Sequence, residues 1–102
     1  MKDIIKRAEQ GGRIVVVYPS YRGARWAFEQ VPEGCKAYAN SLLWQFHSMG
    51  VIRFMSAQTD PDKLRGLDTD VLFMDGAECD ASQRFLDIAD ERASMYHRRR
   101  TK

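Results

Sequence analysis

The chain has 102 residues, 44% of them hydrophobic and 29% charged, with a net charge of +2. One domain with its own core is within reach without the staples needed mainly below ~40 residues, and neither disorder nor a strongly basic nucleic-acid binder is indicated by composition. Cys35, Cys79, His47 and His97 lack metal-ligand spacing, which argues against zinc. No apolar run approaches the ~18 residues of a membrane span, so free thiols in a soluble, cytoplasmic protein are expected.

In chain order, Ile4, Ile5 and Ala8 stand at helical spacing, and Gly11 and Gly12 end that helix. The continuous run Ile14 to Tyr18 predicts a strand buried on both faces, as in the middle of a parallel sheet. Ser20 then offers an N-cap for a helix whose inner stripe is Ala24, Ala27, Phe28 and Val31, broken by Pro32 and Gly34. A second helix is predicted over 36–49, with Tyr38, Leu42, Leu43 and Phe46 inward and Gly50 as its stop. "VIRFMSA" (51–57) predicts a second strand, and "TDPDKLRG" (59–66) a short helix or turn capped by Asp60. "DVLFMD" (70–75) predicts the third strand. Asp80 with Gln83 resembles a capping box for a last helix, with Ala81, Phe85, Ile88, Ala89, Ala93 and Tyr96 inward.

Strands alternating with helices predict an α/β domain of three layers: a short, about three-stranded parallel sheet flanked by helices. It spans residues 1–97, and 98–102 form a basic tail.

Ligands of such sheets gather beyond the carboxyl ends of the strands, where three loops should converge. They bring Ser20, Arg22, Arg25, Asp60, Asp62, Arg65, Asp75, Glu78 and Asp80. Asp75, at the end of a buried strand, is a candidate magnesium ligand together with Glu78; capping a turn or helix is the commoner use of such an aspartate. Ser20, Arg22 and Arg25 at a helix start suit phosphate, or are a plain N-cap with two solvated arginines. Arg98, Arg99 and Arg100 suit a nucleic-acid backbone, though a short basic terminus is more often simply solvated. Trp26 and Trp44 fit core or rim packing better than base stacking, and His47 fits a partly buried helix position.

The stretches "GGRIVVVYPSYRGARWAFEQV" and "IRFMSAQTDPDKLRGLDTDVLFMDGAE" resemble the ATPase core of phage terminase large subunits and helicases. The resemblance covers about residues 11–78. It implies a P-loop NTPase-like half core, a Walker B-like strand ending at Asp75, an origin in a phage or mobile element, and contact of Ser20, Arg22 and Arg25 with nucleic-acid backbone. Two features depart from the family. No Gly-Lys pair of a phosphate-binding loop occurs in this sequence, and the resemblance begins past the place of that loop and its strand. Gly76 stands where the family has the glutamate that activates water. Phosphoryl transfer depends on positioning and electrostatics, so the expectation is a non-hydrolysing domain without cofactor. It acts by binding nucleic acid or a protein of packaging, replication or host defence. The rival expectations are a protein-interaction module, with a homodimer as one way to close its sheet edges, and a magnesium-dependent phosphatase or nuclease using Asp75, Glu78 and Asp80.

Overall fold

The computed structural model describes residues 2–64, 69–93 and 99–100, with side chains through Asp90. Its centre is β1 (Arg13–Tyr18), the run of β-branched residues. On one side β1 pairs in parallel with β4 (Val51–Ser56), and on the other with β5 (Asp70–Phe73). The three strands expected from the sequence are therefore present and mutually parallel, with the earliest in the middle. Every side chain of β5 and all of β1 after Arg13 are buried, which is why their apolarity runs unbroken instead of alternating.

The sheet is nevertheless not the three-stranded parallel one expected. Residues placed in a second helix form a hairpin, β2 (Cys35–Tyr38) and β3 (Leu43–Phe46), which joins β4 antiparallel. A two-residue strand, β6 (Arg99–Arg100), lies parallel to β5, giving the mixed order β2-β3-β4-β1-β5-β6. The physical reason is the period of β3: Trp44 and Phe46 are buried and Leu43 and Gln45 half-buried, an alternation of two and not 3.6. Trp44 gains what a helix could not provide. Its indole N–H donates to the Phe28 carbonyl at 2.9 Å, and its ring meets Phe54 edge-on at 4.6 Å between centroids.

Each face of the sheet has its own core. The first gathers Ile14, Val16, Tyr18, Trp44, Phe54 and their neighbours under α1 (Lys2–Glu9) and α2 (Tyr21–Phe28). The second gathers Val15, Val17, Met55, Val71 and Phe73 under α3 (Gln83–Ala93) and the 3-10 turns Pro61–Leu64 and Ala77–Cys79. Arg7 of α1 pairs with the buried carboxylate of Asp70, tying the first helix to the start of β5. A buried carboxylate must be paired if it is to stay charged.

The expected caps hold in part. Ser20 does cap α2, accepting from the Gly23 N–H at 3.2 Å, and Asp60 accepts from the Asp62 N–H at 3.0 Å. The box of Asp80 and Gln83 does not form. Ser82 accepts from the Phe85 N–H at 3.1 Å and starts α3, while Asp80 ends the preceding 3-10 turn. A hydroxyl immediately before the helix reaches its third N–H, and Asp80 is too far back to do so. Phe85, Ile88 and Ala89 lie inward as expected and Ala81 is half-buried; Val31 is exposed instead. The Ala93 side chain and Tyr96 lie outside the described residues.

Candidate nucleic-acid interface at the strand ends

The carboxyl ends of β1, β4 and β5 are level. Tyr18 is in register with Ser56, its carbonyl accepts from the Ala57 N–H at 2.8 Å, and the Val17 carbonyl accepts from the Met74 N–H at 2.8 Å. The loops that open there carry Ser20, then Asp60 and Asp62, then Asp75. Residues 65–68, and so Arg65, lie outside the described residues, as does Arg98.

Asp75 sits one residue past the half-buried Met74, exposed, with a left-handed backbone (φ +53°), and Gly76 follows at φ +77°. Aspartate is among the few residues that accept this conformation. Burial pushes the Tyr18 phenol above its usual 10.0, and the negative charge of Asp75 raises it further, so Asp75 lies within electrostatic reach of the end of β1. Glu78 lies three residues on, half-buried in the 3-10 turn Ala77–Cys79. Its Oε2 is shielded from solvent with no hydrogen-bond partner, and among the described residues no three His, Cys, Asp or Glu side chains are grouped to hold a metal. Asp75 is exposed, as are Asp60 and Asp80. Asp62 pairs with Arg84 of α3 at 2.5 Å.

Ser20 spends its hydroxyl on the helix cap. Beyond it, α2 turns its apolar side, Ala24, Ala27 and Phe28, to the core, which leaves the opposite side to solvent. That outer side holds Tyr21, Arg22, Arg25 and Trp26. Residues four apart in a helix stand one above the other, so Arg22 shares a ridge with Trp26, and Tyr21 shares one with Arg25. The second pair is joined: Arg25 donates to the Tyr21 hydroxyl at 3.3 Å and lies 3.7 Å from Glu29. The hydrogen bond with Tyr21 and then the nearby negative charge hold the Arg25 guanidinium still more firmly protonated.

The tryptophans divide against expectation. Trp44 is 1% exposed and belongs to the core, but Trp26 is 65% exposed and Tyr21 56%. Trp26 follows Arg25 directly, on the flank of the helix that the stripe leaves outside, so its position was legible from the 3.6-residue period. His47 is exposed in the turn after β3, not half-buried in a helix, because no helix forms there. Arg99 and Arg100 run beside Leu72 and Phe73 of β5. None of the described helices is long and apolar enough to cross a membrane. No family model matches the chain, and neither the curated proteins nor the solved structures give a match.

Proposed function

We propose that this domain is a non-hydrolysing, terminase- or helicase-ATPase-like module that binds nucleic acid along the outer side of α2. The observation that carries the reading is the grouping of Arg22 and Arg25 with two exposed rings, Tyr21 and Trp26, on one helix face beside the ends of three parallel strands. Guanidinium groups suit phosphate oxygens, and exposed indole and phenol rings suit unpaired bases, whose stacking contributes about 1–3 kcal/mol each. The kinship with ATPase cores of phage or mobile-element origin rests on the sequence resemblance of residues 11–78, and Gly76 beside Asp75 supports binding without hydrolysis. Gly76 has no side chain with which to activate water.

Binding of a fluorescent oligothymidylate, measured against salt, tests this. Affinity should fall as salt rises, and Arg22→Ala should weaken binding while flattening the logarithmic salt slope by roughly 0.7 to 1. Binding indifferent to salt and to Arg22, or turnover of ATP by the purified chain, would overturn it.

A further inference from the structure

The second core covers only part of its sheet face. Its cluster includes no residue of the hairpin or of the first half of β4. Two rows of side chains cross the strands there. Lys36, Gln45, Val51 and Arg13 are in register in one, and Tyr38, Leu43 and Arg53 in the next. Lys36 and Arg13 are exposed, Gln45, Leu43, Val51 and Arg53 half-buried, and Tyr38 42% exposed. Met49 stands in the turn between β3 and β4, 68% exposed, although its left-handed backbone (φ +71°) suits glycine better. Two hollows meet on this surface, about 250 Å³ beside Arg13 and Arg53 and about 420 Å³ beside Lys36, Tyr38 and His47, and both are bordered by Gln45 and Met49. Among the described residues no carboxylate lines either one.

Beside this face runs the outer edge of β2, which pairs only with β3 among the described residues. An open strand edge presents backbone donors and acceptors at peptide spacing, and only another peptide backbone matches them along their length. The face has an apolar middle of Leu43, Val51 and Met49 between cations, with Tyr, Met and Arg prominent, the composition typical of protein contacts. Nucleic-acid surfaces are more uniformly polar and positive.

We propose that the β2 edge takes up an extended acidic segment of a partner protein as an added strand. Side chains alternate along a strand, so every second residue of the segment lies on the cationic face. A carboxylate then sits next to Lys36, and an apolar or aromatic group next to Tyr38, two positions on. Cross-strand pairs of these kinds are favourable, and like charges there are not.

The test is a titration of the isotope-labelled protein with two short peptides, both alternating threonine with facing residues. One carries glutamate and phenylalanine at those positions, the other lysine and phenylalanine. The glutamate peptide should move the amide signals of Lys36, Ala37 and Tyr38. Lys36→Glu should weaken it by about tenfold or more and let the lysine peptide bind instead. Lys36 is exposed, so that variant keeps the fold, and Arg22→Ala should leave peptide binding unchanged. Silence of these amides at millimolar peptide would overturn the proposal. So would their response to oligothymidylate in place of peptide, or shifts with protein concentration alone, which would mean that a second copy occupies the edge.

Discussion

Asp75 and Tyr18 show how a single charge is registered at the strand ends. The phenol of Tyr18 is held above 10.0 by burial first and by Asp75 second. Above that pH the unfolded chain gives up the proton while the folded one keeps it. The folded state then binds more protons, so stability declines as pH rises past 10. Asp75→Asn removes the charge and keeps a residue that tolerates a left-handed backbone. The Tyr18 transition, followed by tyrosinate absorbance, should move down toward 10 yet stay above it, because burial remains. An unchanged transition would mean that the loop holds Asp75 away from β1. Asp75 itself was legible in the sequence as the polar end of an apolar run. Its partner Tyr18 was not, because that run marks only where β1 ends and does not tell which loop folds over it.

Among the elements, the hairpin is the one that sequence reasoning misplaced. Residues 36–49 contain no valine, isoleucine or threonine, so β propensity was silent, and Tyr38, Leu42 and Phe46 happen to recur every four residues. The short apolar–polar–apolar run Trp44, Gln45 and Phe46 was the available signal, with turn residues Asn40, Ser41, Ser48 and Gly50 on either side. The strands β1 and β5 were legible because burial on both faces demands unbroken apolarity, and β4 because its apolar residues are interrupted only by Arg53. The hairpin is held at both ends. Trp44 fills the core, and the Ser48 hydroxyl donates to the Ala8 carbonyl at 2.7 Å. Gly50 lies so close to α1 that a Cβ there would stand 1.8 Å from the Ala8 oxygen. Trp44→Ala should therefore cost about 3–5 kcal/mol of unfolding free energy, and Gly50→Ala about 1–3 kcal/mol as the turn is pushed off the helix. Denaturant unfolding reads both. A loss below ~1 kcal/mol for Trp44→Ala would be incompatible with a tryptophan buried in the core.

At the scale of the molecule, the sheet separates two kinds of surface. On one side α2 presents arginines and aromatic rings beside the strand ends, and on the other the hairpin leaves a cationic sheet face next to an open edge. The sequence made the first partly visible, since Ser20, Arg22 and Arg25 follow directly from the end of β1. It hid the second, because that sheet face exists only once β4 lies beside β1 and the hairpin β2–β3 joins β4. The core of the account is that Trp26, lying on the exposed side of α2, stacks on unpaired bases. Tryptophan emission during titration with oligothymidylate tests this most directly, because Trp44 is buried and only Trp26 is open to quenching. The account predicts quenching of the solvent-exposed emission that salt reverses and that Trp26→Phe abolishes. Emission unchanged at saturating oligothymidylate, or quenching that persists in Trp26→Phe, would contradict it.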